Sequence, residues 1–127
     1  MTIADYFETI KEHLLVVSFV ADFKISKQVE RSKNGYIRIR MTFTDHSRLE
    51  FSEFVEQKVG DEIQVVTYSY HWSGENDTLI CRWDNTPHFP KLEKFPHHIH
   101  KNEDQVIPGK PINIFGVLGE IEKTLNK

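Results

Sequence analysis

The chain has 127 residues, 39% of them hydrophobic and 28% charged, and a net charge of −3 when its histidines are neutral. That length predicts a single domain over residues 1–127 with a core of its own. The one cysteine, Cys81, excludes an internal disulfide and a multi-cysteine zinc site. The charge argues against a strongly basic nucleic-acid coat but leaves room for a local basic groove. The longest apolar run, residues 14–17, is far short of the roughly 20 residues of a membrane span. The first five residues lack a positive region followed by an apolar one, so no secretory signal is expected. The expectation is a cytoplasmic protein with no membrane association.

Thr2 and Asp5 predict a helix N-terminus with a capping box, and Ile3, Tyr6, Phe7 and Ile10 follow at helical spacing. From about residue 15 the pattern changes to period two. Val17, Phe19, Ala21, Phe23 and Ile25 alternate with more polar residues and predict a long half-buried strand. Lys33-Asn34-Gly35 signals a hairpin turn. Ile37, Ile39, Met41 and Phe43 then alternate with Arg38, Arg40 and Thr42. After Asp45-His46-Ser47, a third strand begins with Leu49, Phe51 and Phe54. Val59-Gly60-Asp61 ends it. Residues 62–72 form a fourth strand, and a turn at 73–77 leads to a fifth at 78–83. Four turns at short spacing with no helix between them imply an antiparallel meander. Residues 84–106 show no periodicity and hold Pro87, Pro90 and Pro96. A segment this long inside a small domain suggests function or disorder, and Phe89, Leu92, Phe95 and Ile99 favour packing. Residues 111–125 predict a closing helix, with Pro111 in its first turn. Its glycines, Gly116 and Gly119, suggest close packing.

Five of the seven histidines (His71, His88, His97, His98 and His100) fall within 30 residues. One reading is metal binding by these imidazoles and the Asp84 carboxylate. Adjacent residues of a strand point to opposite faces, so His98 and His100 could share an ion whereas His97 and His98 could not. The second reading is metal-independent acid–base chemistry on a phosphodiester. Histidine titrates near neutrality, an arginine such as Arg82 stabilises the phosphorane, and Glu53 is a further base. Tyr68, Tyr70 and Trp72 on one strand face would offer bases a stacking platform, with Arg38 and Arg40 nearby. The third reading is structural. Asp84-Asn85-Thr86-Pro87 makes a capped turn, Arg82 and Asp84 form an ion pair, the aromatic stripe is core, and Arg38 and Arg40 line a solvent face. Cys81, in an apolar strand, is inert.

Three boxes carry a family resemblance. They are Tyr68-Ser69-Tyr70-His71-Trp72, then Leu79-Ile80-Cys81-Arg82-Trp83-Asp84-Asn85-Thr86-Pro87-His88, then Phe95-Pro96-His97-His98-Ile99-His100. Together they resemble the TumE family, small prokaryotic proteins regarded as the toxin half of type II toxin–antitoxin pairs. The resemblance is strong over residues 68–100 and covers most of 35–120. Thr86 replaces a usual small residue, and Ile99 replaces a usual basic one. The resemblance implies a small antitoxin partner and an RNA-directed, translation-blocking activity. The matched positions are Glu53, Tyr70, His71, Arg82, Asp84, Asn85, His88, His97, His98 and His100.

The expectation is therefore an α+β fold, with a curved antiparallel β-sheet of about five meander strands flanked by an N-terminal and a C-terminal helix. Residues 84–105 should fold over one sheet face. Candidate catalytic residues are His71, Arg82, His88, His97, His98, His100 and Glu53. Candidate substrate-binding residues are Tyr68, Tyr70, Asp84, Asn85, Arg38 and Arg40. No metal ligand and no cofactor is assigned. The expected function is a toxin-like, metal-independent endoribonuclease. The alternatives are a non-catalytic RNA- or protein-binding module and a metal-dependent hydrolase using the histidines. An antitoxin, RNA or a second copy at an open sheet edge are the expected partners, with no binding of DNA by the protein alone. The acidic strand at 49–56 is a surface for a basic antitoxin.

Overall fold

A computed structural model describes residues 1–60, 62–85, 96–102 and 105–126. Among these, helix α1 (Ile3–Val16) precedes seven strands: β1 (Val20–Glu30), β2 (Asn34–Phe43), β3 (Arg48–Gln57), β4 (Ile63–Ser73), β5 (Leu79–Asp84), β6 (His98–Lys101) and β7 (Gln105–Pro108). Helix α2 (Ile114–Leu125) follows. The strands make one antiparallel sheet in chain order, with β1 and β7 at its edges.

The Thr2 hydroxyl accepts from Asp5 N and the Asp5 carboxylate accepts from Thr2 N, so the capping box forms as read. Ile3, Phe7, Ile10 and Leu14 are the buried stripe of α1. At the start of α2 the Asn113 side chain accepts from Gly116 N, so Asn113 caps the helix and Pro111 lies outside it. Tyr6 of α1 and the backbone of Ile114 in α2 both reach the carboxylate of Glu53 on β3. Both helices therefore cover the same face of the sheet. That face buries Ile37, Ile39, Met41, Phe43, Leu49, Phe51, Val55, Tyr70 and Trp72. Because side chains alternate along a strand, the residues between them form a second face that neither helix covers.

Several details depart from the sequence reading. The sheet has seven strands rather than about five. Of the segment 84–105 expected to fold over one sheet face, residues 98–101 instead extend the sheet edge-on as β6 by pairing with β5, β7 pairs in turn with β6, and residues 86–95 and 103–104 lie outside the described residues. Strand β1 starts at Val20 because Leu14 continues the helical stripe and carries α1 through Val16. As an edge strand with two register shifts, β1 is mostly exposed rather than half buried. Gly35 is not a turn residue. It pairs with Glu30 and Val55 inside the sheet, and a Cβ there would lie 2.7 Å from Ile3 Cγ2. It is glycine so that α1 can approach β2. Gly116 is similarly tight against Ile112, whereas Gly119 has nothing within 4 Å. Strand β3 is interior, so it offers no edge to a partner strand.

Candidate functional site

The register across the open face places chemistry in two rows. On one, Arg40, Glu50, His71, Arg82 and His100 stand side by side on β2 to β6. On the other, Arg38, Ser52, Ser69, Asp84 and His98 do the same. Directly opposed residues hold their Cβ atoms about 5 Å apart. His71, Arg82 and His100 are thus adjacent although up to 29 residues separate them in the chain.

At the β5–β6 end the side chains are tied together. Arg82 Nε donates to Asp84 Oδ2 at 2.8 Å, and Arg82 Nη2 lies 3.2 Å from His100 Nε2. His98 Nε2 lies 2.5 Å from Asp84 Oδ1, and His100 Nε2 lies 3.7 Å from Asp84 Oδ2. Asp84 and His98 are buried, while Arg82 keeps about a third of its side-chain surface in solvent. The two imidazoles meet edge to face at 4.9 Å between ring centres. Their sharing of a face follows from the strand spacing, as does the Arg82–Asp84 ion pair. Asp84, His98 and His100 also bring one ligand atom each within 4.8 Å of one another.

His71 stands beside Arg82 on β4. Burial, and then the neighbouring guanidinium, hold its pKa below the ordinary histidine value of 6.5. It is therefore neutral and able to accept a proton at neutral pH. It faces a groove of about 790 Å³ in the same face, within the range of about 300–1,000 Å³ usual for ligand sites. Lys24, Arg38, Arg40, Arg48 and Arg82 line it against Asp22, Glu50 and Asp77. Five cations thus meet three carboxylates there, a local basic excess on a chain of net charge −3. Arg38 and Arg40 both pair with Glu50, and Arg48 pairs with Asp77. These pairs order the rim.

The other candidates lie elsewhere. Tyr68 and Tyr70 are 3% and 0% exposed. With Trp72, which donates to the buried Ser47 hydroxyl, they make a core stripe under the helices, so they offer no base-stacking platform. Burial and Asp84 push the Tyr68 hydroxyl up to about 12. Glu53 is also on the inner face and fully buried. Its carboxylate accepts from the Tyr6 hydroxyl at 2.5 Å, the Tyr70 hydroxyl at 2.7 Å and Ile114 N at 3.3 Å. Burial raises its pKa and these three donors oppose the rise. Glu53 thus joins β3, β4 and both helices, and it is remote from the open face. It cannot serve there as a base, nor present negative charge to an antitoxin.

His97 points away from His98 and stacks on Tyr68, with its Nδ1 2.8 Å from the tyrosine hydroxyl. Burial and then His98 lower its pKa. Asn85 serves the backbone. Its Oδ1 accepts from Tyr68 N and its Nδ2 donates to Val66 O, which fastens the end of β5 to β4. Burial raises the Cys81 thiol to about 11, consistent with an inert side chain. His88 lies outside the described residues. The sequence reading missed Ser52 and Ser69 of the open rows, the role of Glu53 and the Asp84–His98 contact. One signal for Glu53 was present: the inward alternation Leu49, Phe51, Val55 runs through position 53.

The family model described as Toxin TumE matches residues 7–125. No curated protein and no solved structure matches the chain. No helix among the described residues is long and apolar enough to cross a membrane. With a match over nearly its whole length, the chain belongs to the Toxin TumE family.

Proposed function

We propose that this toxin-family protein cleaves RNA on the open face of its sheet by metal-independent acid–base chemistry. The observation that supports this most is the row His71, Arg82, His100 on three adjacent strands, set beside a basic groove. His71, with its lowered pKa, takes the proton of a ribose 2′-hydroxyl. The 2′-oxygen attacks the adjacent phosphorus, and Arg82 stabilises the charge that builds on the non-bridging oxygens. The bond from phosphorus to the 5′-oxygen breaks, and His100 gives that oxygen its proton. Asp84 holds the Arg82 guanidinium and supplies the counter-charge for the imidazolium form of His100. The products are a 2′,3′-cyclic phosphate and a 5′-hydroxyl. DNA, lacking the nucleophile, is not cut. The rim cations Lys24, Arg38, Arg40 and Arg48 track the backbone phosphates.

Membership of a toxin family implies an antitoxin partner. We place that partner over the basic open face, where it would close the groove. The reading is tested by incubating the purified protein with total RNA in EDTA, beside the Arg82→Ala variant. Cleavage by the wild type and none by a folded Arg82→Ala supports it. RNA binding that weakens with salt and yields no product from either protein replaces it with a binding module.

A further inference from the structure

Three groups able to bind a metal ion meet at the β5–β6 end of the sheet: Asp84, His98 and His100. His98 Nδ1 lies 2.9 Å from the carbonyl oxygen of Pro96. That oxygen can only accept, so Nδ1 is the donor there, and Nε2 is the ring nitrogen turned toward Asp84. Nε2 lies 2.5 Å from Asp84 Oδ1, a contact that a shared proton bridges and that a metal ion bonded to both atoms would widen. An imidazole whose other nitrogen donates to a backbone carbonyl is the usual outer arrangement of a metal-bound histidine. His100 completes the set, since one ligand atom from each of Asp84, His98 and His100 lies within 4.8 Å of the others. Zinc binds such atoms at about 2.0–2.2 Å, so small side-chain rotations close the set onto one ion. Two of the ligands are already buried, and His100, still 18% exposed, is the side from which solvent reaches the set.

We propose that Asp84, His98 and His100 bind one divalent transition-metal ion of the zinc type, and that the bound ion silences the RNA chemistry proposed above. Two imidazoles and one carboxylate without a thiolate suit zinc, cobalt or nickel rather than magnesium or calcium. Arg82 holds the competing position, touching both Asp84 Oδ2 and His100 Nε2. The ion displaces that guanidinium and takes His100 out of the proton-donor role proposed for it above. The silencing rests on the proposed function; the binding site does not.

The test is calorimetric titration of zinc chloride into the full-length protein after EDTA treatment and dialysis. One zinc per chain is expected. His98→Ala and His100→Ala should each weaken it by more than about a hundredfold, and His13→Ala, on α1, should leave it unchanged. His100 is half-buried, so its variant remains informative if His98→Ala fails to fold. Arg82→Ala should tighten binding by about tenfold, through loss of a like charge at a half-exposed site. Zinc heats that persist in both histidine variants identify adventitious coordination and overturn the site, as does the absence of binding. Zinc bound at one per chain with RNA cleavage undiminished overturns the silencing. A zinc site intact in a protein that cleaves no RNA in EDTA upholds the site and removes both the proposed function and the silencing.

Discussion

Replacing His71 by alanine should separate chemistry from stability. The side chain stands half-buried on the open face, next to Arg82. Its removal leaves a notch that opens into the groove, so the fold should lose no more than about 1 kcal/mol. A general base contributes roughly 10²–10⁴ in rate. At about 1.4 kcal/mol per tenfold, that raises the barrier by about 3–5 kcal/mol. Tyr70→Phe should do the reverse. It removes the 2.7 Å donor to Glu53 Oε2 and leaves Ile114 N at 3.3 Å on that oxygen. Weakening a buried carboxylate's hydrogen bonds costs about 1–3 kcal/mol, a Tm drop of roughly 3–10 °C for a chain of this size. Single-turnover cleavage of end-labelled RNA, run beside thermal denaturation, reads both quantities. Full activity in His71→Ala, or a loss of rate in Tyr70→Phe equal to that in His71→Ala, would refute the assignment of the two faces.

Histidine titration followed by NMR should place the His71 pKa below 6.5, and Arg82→Gln should move it upward while burial keeps it from returning fully. Glu53 makes stability pH-dependent with a definite sign. Its folded pKa is raised above 4.5, so the folded state binds the extra proton between 4.5 and that raised value. Stability therefore falls as pH rises through this window, and Glu53→Gln should flatten the slope in urea titrations across it. Two glycines should respond oppositely to alanine. Gly35→Ala forces Ile3 Cγ2 and Val29 O apart and should cost about 1–3 kcal/mol. Gly119→Ala, on α2 with open space around it, should gain about 0.5–1 kcal/mol in the same denaturation assay.

What was legible in the sequence was whatever depends on one strand or one helix turn at a time. The Thr2/Asp5 box, the alternation from Ile37 to Phe43, the opposite facing of His97 and His98, and the Arg82–Asp84 pair all follow from local periodicity. The juxtaposition of His71, Arg82 and His100 does not, because it depends on the register between strands. That register is set by turns and by the bulges in β1, β4 and β5, and a one-residue slip would move every side chain to the other face. Strands β6 and β7 went unread because four residues give too little alternation to detect, and they exist through the pairing of β6 with β5 and of β7 with β6. Tyr68 and Tyr70 had the residue types of a base platform, but which face the helices cover is a tertiary fact. Glu53 fell in a core slot that the alternation marked, and the three donors that keep a carboxylate there come from three other elements.

The most direct test of the proposed chemistry is the chemical identity of the ends it leaves. An oligoribonucleotide cut by the wild-type protein in EDTA should yield a 2′,3′-cyclic phosphate and a 5′-hydroxyl. A single 2′-deoxy substitution at the cut position should stop cleavage there. Ends bearing a 3′-hydroxyl and a 5′-phosphate, or cutting that continues past the missing 2′-hydroxyl, would contradict attack by the ribose and with it the roles given to His71 and His100.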